Sequence, residues 1–146
     1  MKLAVLVAVT GFAMAAVANA EGYDPIETRQ AGQDLVSADF AGIRAVVNAK
    51  GDVKSLANPA KAIARWIRQF PTQFPKGSEQ GHNTRARPAI WSDFAGFQQR
   101  ANNLADAADK LAQLANAEDT AGVVAQISVV TEACSACHRT YRSGPY

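Results

Sequence analysis

The sequence predicts an all-α protein, an antiparallel up-down-up-down four-helix bundle. Four segments carry apolar residues at spacings of three and four, which gives each a helix with one buried face. No stretch alternates apolar and polar residues as a strand does. The connections are short except for one, which sets successive helices antiparallel. The 146 residues suffice for one domain, and a 48% hydrophobic share excludes disorder. With 15 Lys+Arg against 13 Asp+Glu and no basic run, the charge gives no footprint for nucleic acid.

The first twenty residues read as a cleaved export signal, leaving residues 21–146 for the bundle. Met1-Lys2 is a short basic start, an apolar run follows from Leu3, and Ala18-Asn19-Ala20 supplies small residues at a cleavage site. Thr10 and Gly11 interrupt the run and polar Glu21-Gly22 follows directly, which argues against a membrane anchor. No second apolar run of spanning length is evident, so no membrane insertion is expected. Met1 and Met14, the only methionines, leave with the signal.

Helix one is expected over about residues 25–50. Asp24 caps it, Pro25 suits its first position, and Glu27 completes a capping box. Val36, Phe40, Ile43 and Val47 form its buried stripe, and Lys50-Gly51 gives a cationic last turn and a glycine stop. Asn58-Pro59 opens helix two, whose face is Ile63, Trp66, Ile67 and Phe70, and Pro71 ends it. Residues 71–87, with Pro71, Pro75, Gly77 and Gly81, form the long loop. Pro88 opens a continuous helix three. Its face is Ile90, Phe94, Phe97, Ala101, Leu104, Ala108, Leu111 and Ala115, spaced for shallow-angle packing. Asp119 or Thr120 caps helix four, with Val123, Ile127, Val130, Cys134, Cys137 and Tyr141 inward and Gly144-Pro145 beyond its end.

The one specific chemical signal is Cys134-Ser135-Ala136-Cys137-His138. Two cysteines three apart share one side of a helix, so both sulfurs can form thioethers to the vinyl groups of a haem while His138 reaches the iron. A disulfide would leave His138 unexplained. A thioredoxin-type pair follows a strand, and zinc would need a fourth ligand for which only His82 is a candidate. His82 itself reads as a solvated loop residue. One covalently bound haem c per chain is therefore expected, held by Cys134 and Cys137 with His138 as the axial iron ligand.

An exported four-helix chain with this motif in its last helix, followed by Tyr141-Arg142, resembles the cytochrome c prime family. The family is itself counted among up-down-up-down bundles. Arg29, the segment Phe74-Pro75-Lys76-Gly77-Ser78 and the segment Ala86-Arg87-Pro88-Ala89-Ile90-Trp91 carry the rest of the resemblance. It implies that the residue four after Arg29 faces the haem side opposite His138. That residue is methionine in low-spin relatives and a bulky apolar group in most members; here it is Gln33. It further implies that Arg29 and Arg87 partner the haem propionates, that Gln30 and Pro88 line the haem edge, and that Arg142 lies beside the axial imidazole. Trp91, Phe94, Phe97 and Phe40 are expected as core and haem-packing residues.

The resulting expectation is a periplasmic electron-transfer and gas-binding cytochrome with five-coordinate, high-spin iron. Its expected partners are nitric oxide, carbon monoxide and redox proteins, and the resemblance adds a homodimer through the first two helices. The alternative is a low-spin one-electron carrier with a different sixth ligand. Dedicated catalysis is not expected, because the first helix offers only Asp34 as a proton-transfer group near Gln33.

Overall fold

The computed structural model describes residues 23–144, so the signal reading of residues 1–20 falls outside the described residues. The helices are α1 (Pro25–Asn48), α2 (Ala57–Gln69), the single turn α3 (Ala89–Ser92), α4 (Phe94–Asn116) and α5 (Thr120–Tyr141). α1 packs on α2, α2 on α4 and α4 on α5, which makes the expected four-helix bundle. Among the described residues there is no strand, only one antiparallel bridge between Ala86 and Arg142.

Both acidic caps form as the sequence predicts. Asp24 Oδ1 accepts from the backbone N–H of Ile26 at 2.6 Å and of Glu27 at 3.1 Å, and Asp119 accepts from Gly122 N–H at 2.9 Å. These bonds hold the Asp24 carboxyl below its usual pKa, with a smaller push from the nearby His82 and Arg29.

Four local expectations are corrected. α1 ends at Asn48 with Ala49 as its cap, and it is Lys50 that takes the left-handed φ of 54°, while Gly51 N–H bonds back to Val46 carbonyl at 2.9 Å. The left-handed stop therefore falls one residue before the glycine. α2 starts at Ala57 rather than at an Asn58 cap, because a 3₁₀ turn over Val53–Leu56, itself capped by Asp52, runs straight into it. The third predicted helix is broken at Asp93, whose φ and ψ are −133° and 55°. The Asp93 side chain caps a fresh start by accepting from Gly96 N–H at 3.2 Å. Phe94, just past the break, is 41% exposed instead of belonging to the core. Finally, α5 is by length and composition apolar enough to cross a bilayer, with mean hydropathy 1.3 over its most apolar window, although the sequence reading found no such run beyond the signal. In the fold its Val123 and Val130 are buried in the bundle core.

The core explains why the bundle is tight on one side and open on the other. Between α2 and α4, Ala60, Ala64, Ala105, Ala108 and Ala112 are almost completely buried, and these small side chains let the two backbones approach closely. Leu111, Ile63 and Ile67 fill the remaining volume. At one end, Phe74, Phe97 and Tyr141 stack edge to face, with centroids 4.9 Å apart for Phe74–Phe97 and 5.3 Å for Phe97–Tyr141. α1 and α5, in contrast, do not close on each other. Of the predicted α1 stripe only Ile43 is fully buried, and Val36, Phe40 and Val47 are half-buried. Ile127, Cys134 and Cys137 on α5 are half-buried as well.

Where α1 crosses α2, Gly32 lies flat beneath the Trp66 indole, and a Cβ there would fall inside the ring. Gly32→Ala must displace a large side chain from a packed contact. It is expected to lower stability by about 2–3 kcal/mol, measured as the urea midpoint. An unchanged midpoint would mean that the indole swings aside freely.

Candidate functional site

The gap between α1 and α5 is a cavity of ≈ 610 Å³. That lies within the roughly 300–1,000 Å³ usual for a cofactor site. α5 contributes Val130, Cys134, Cys137, His138, Tyr141 and Arg142 to the wall. Helical geometry puts Cys134, Cys137, His138 and Tyr141 on one stripe, because residues three and four apart share a face. The two cysteine sulfurs are not joined to each other. Burial raises both thiol pKa values, and Cys137, with Cys134 beside it, is pushed up to about 11. They are thus neutral S–H groups at physiological pH. The His138 pKa is lowered, first by burial and then by the positive charges of Arg142 and Arg85. Its imidazole is therefore neutral at pH 7, the form with a lone pair to give to a metal.

The opposite wall comes from α1, through Gln30, Gln33, Val36 and Phe40. Ile63, Ile67 and Phe70 from α2 and Phe97, Ala101 and Leu104 from α4 form the apolar back. Arg29, Arg44, Arg85, Arg100 and Arg142 line the cavity against one acid, Asp34, so the site is strongly electropositive. Two half-buried apolar faces, a neutral imidazole, two thiols and an excess of guanidinium groups suit a flat apolar cofactor that bears carboxylates.

The predicted site residues separate into two groups. Cys134, Cys137, His138, Gln30, Gln33, Arg29 and Arg142 all line the cavity, but Arg87 and Pro88 do not. The Arg87 backbone N–H donates to Tyr141 carbonyl at 3.0 Å, and its Nη1 donates to Arg139 carbonyl at 3.1 Å. These bonds satisfy terminal carbonyls of α5 and turn the side chain away from the gap. Pro88 is exposed and serves as the first turn of α3, accepting from Trp91 N–H at 3.1 Å.

Arg29 has work that the sequence reading did not foresee. It is buried, and its Nη1 donates to Gln73 carbonyl at 3.1 Å and Ser78 Oγ at 2.9 Å. Its Nη2 donates to Ser78 carbonyl at 2.7 Å and Thr84 Oγ1 at 2.9 Å, and the guanidinium sits 4.5 Å from the Phe74 ring centroid. Arg29 therefore pins the long loop across one end of the cavity. His82 is not simply solvated: its ring nitrogens lie 3.1 Å from Asp24 Oδ2 and 3.3 Å from Glu27 Oε1. It joins the loop to the start of α1, and its carbonyl accepts from Gln30 Nε2 at 2.9 Å.

Three further residues went unread. Tyr141 donates its hydroxyl to Asp93 Oδ2 at 2.6 Å, so the break before α4 anchors the last turn of α5. Arg85 Nε donates to Ser143 carbonyl at 3.1 Å, and Arg100 adds charge at the α4 edge of the cavity. An aspartate three residues before Gly96 was a legible cap signal, whereas the arginines carried no local mark.

The family model described as Cytochrome C' matches residues 24–142. The cytochrome c' of Rubrivivax gelatinosus is 33% identical over 121 residues, covering 82% of this chain and 94% of that protein. The cytochrome c-556 of Agrobacterium tumefaciens (strain II Chrys) is 36% identical over 121 residues, covering 80% and 95%. Among solved structures, Rubrivivax gelatinosus cytochrome c' superposes with a TM-score of 0.74 at 33% identity, covering 82% of this chain and 95% of that one. A nitric oxide complex of a cytochrome c prime variant from Alcaligenes xylosoxidans superposes with a TM-score of 0.74 at 29% identity, covering 84% and 95%. The chain thus belongs to the cytochrome c' family, a haem c fold of electron carriers and gas binders.

Proposed function

We propose that this is a periplasmic cytochrome with five-coordinate, high-spin iron that binds nitric oxide and carbon monoxide on the α1 side of the cavity. Cys134 and Cys137 would hold the haem, each through a thioether formed when its S–H adds across a vinyl double bond. His138 gives its neutral imidazole to the iron, and Arg142 beside it orients the ring and tunes its donation. The haem, when bound, supplies a one-electron redox centre with an open coordination position. The cavity arginines, Arg29, Arg44, Arg85 and Arg100 among them, provide counter-charge for its carboxylates. Arg87 and Pro88 support the site from outside the cavity.

One observation carries the open position. Among the described residues the cavity lining holds no methionine, no lysine and no histidine besides His138. Gln33 on α1 is an amide, a weak iron donor, and its neighbours Val36 and Phe40 are apolar. His82 is committed to Asp24 and Glu27. The nitric oxide complexes solved for the Alcaligenes xylosoxidans protein support a gas-binding role. The export reading of residues 1–20 supports the periplasm. Redox proteins are the other partners, and a homodimer through α1 and α2 belongs to the same reading, since Leu35 on α1 is 69% exposed. A dedicated enzyme is not proposed, because the one acid on the lining, Asp34, is exposed.

The second reading is a low-spin one-electron carrier of the same fold with a different sixth ligand. Absorption spectra of the ferric, ferrous and carbon-monoxide-treated holoprotein separate the two. The expected result is a high-spin ferric spectrum and a ferrous protein that takes up carbon monoxide at once. A six-coordinate low-spin spectrum at neutral pH that carbon monoxide leaves unchanged would establish the second.

A further inference from the structure

Residues 78–84 of the long loop are held from two sides. From within, the Arg29 guanidinium bonds Ser78 and Thr84. On the outer side the first turn of α1 grips His82, whose Nε2 lies 3.1 Å from Asp24 Oδ2 and whose Nδ1 lies 3.3 Å from Glu27 Oε1. Asp24 divides its carboxylate: Oδ1 accepts from Ile26 and Glu27 N–H, and Oδ2 faces the imidazole. The two carboxylates approach opposite nitrogens of the ring, and among the described residues no such group is arranged to hold a metal ion.

This geometry counts protons. A neutral imidazole carries one N–H, so its other nitrogen would turn a lone pair toward a carboxylate oxygen. Only the doubly protonated ring donates to both sides. Asp24 stays ionised, because bonds from Glu27 and Ile26 N–H hold its carboxyl below the usual range. The other charges acting on this cluster are Arg29 of α1, through Asp24, and Glu79 of the loop, through Arg29.

The turn that carries His82 is held and not relaxed. His82 and Asn83 take left-handed φ values of 46° and 52°, a conformation that L-residues resist. Gln30 Nε2 supports the turn by donating to His82 carbonyl at 2.9 Å. Asn83, Thr84 and Arg85, next in the chain, form part of the cavity wall, so a loosened turn opens the rim of the cavity.

We infer that His82 is a proton-operated clasp: its doubly protonated ring locks the loop to α1 and closes this end of the cavity, and loss of one proton loosens it. The clasp goes beyond the gas-binding reading and does not depend on how the iron is coordinated. Its direction follows from where the second bond exists. A contact made only by the charged ring is present at low pH and is lost as pH rises through the imidazole titration. All three side chains are partly exposed, so the effect is that of a surface ion pair.

Amide hydrogen exchange of the holoprotein at about pH 5.5 and about pH 8, with intrinsic rates divided out, tests the clasp. Protection across residues 78–84, taken relative to α4, is expected to be about threefold higher at the lower pH. His82→Asn tolerates the left-handed backbone and is expected to abolish that difference. Glu27→Gln keeps the backbone N–H that the α1 cap uses and is expected to reduce it. Protection that is independent of pH in the unaltered protein, or a pH difference that survives His82→Asn, overturns the clasp and leaves the gas-binding reading standing.

Discussion

Replacing Cys134 and Cys137 together by alanine is expected to yield a protein whose haem is extracted by acidified organic solvent and whose intact mass is that of the polypeptide alone. The unaltered protein keeps its haem through the same treatment. The stability effect should be the largest of any substitution considered. A tethered group acts at an effective concentration on the order of millimolar, against micromolar for one free in solution. A thousandfold loss corresponds to about 4 kcal/mol, or roughly 10–15 °C in melting temperature for a chain of this size. The half-buried faces of α1 and α5 show why the bundle feels it, since Val36 and Phe40 of α1 and Cys134 and Cys137 of α5 line the open cavity and are only half-buried. Masses that differ only by the two lost sulfur atoms, with equal melting temperatures, would refute thioether attachment at these positions.

The second large effect is expected at Arg29. Arg29→Leu removes the donors to Gln73 carbonyl, Ser78 carbonyl, Ser78 Oγ and Thr84 Oγ1 and leaves buried acceptors without partners. Buried unsatisfied groups of this kind lower stability by about 3 kcal/mol in sum, or roughly 10 °C in melting temperature. The loss should be local as well as global. Amide hydrogen exchange is expected to quicken across residues 74–84 far more than in α4, which shares no bond with this side chain. Uniform acceleration along the chain would show that Arg29 acts on the fold as a whole and not on the loop. Arg29→Lys should rescue little, because one ammonium cannot span four acceptors that a planar fork reaches together.

What was legible in the sequence was whatever is written locally. The Cys134–His138 motif, the Asp24-Pro25 and Asp119 caps, and the stripe from Ala101 to Ala115 each depend on residues within a few positions of one another. The misread features depend on distant partners. Asp93 breaks the third helix while its carboxylate also accepts from Tyr141, 48 residues away. The unbroken spacing of Ile90, Phe94 and Phe97 outweighs that local cap signal, because apolar periodicity continues straight through it. Arg29 is buried by loop groups 44 to 55 residues on, and no local pattern marks an arginine for that role. Arg87 is placed beside the haem carboxylates by the family resemblance, and in the fold its side chain bonds the end of α5. Lys50 shows the smallest version of the same limit: the glycine beside it signals a stop, but the backbone turns one residue earlier.

The unclosed side between α1 and α5 bears on biogenesis. A chain that folds without its haem would leave two half-buried apolar seams along the gap, an invitation to self-association. A group seated in the gap covers both faces at once, so loading and the burial of α1 against α5 are coupled.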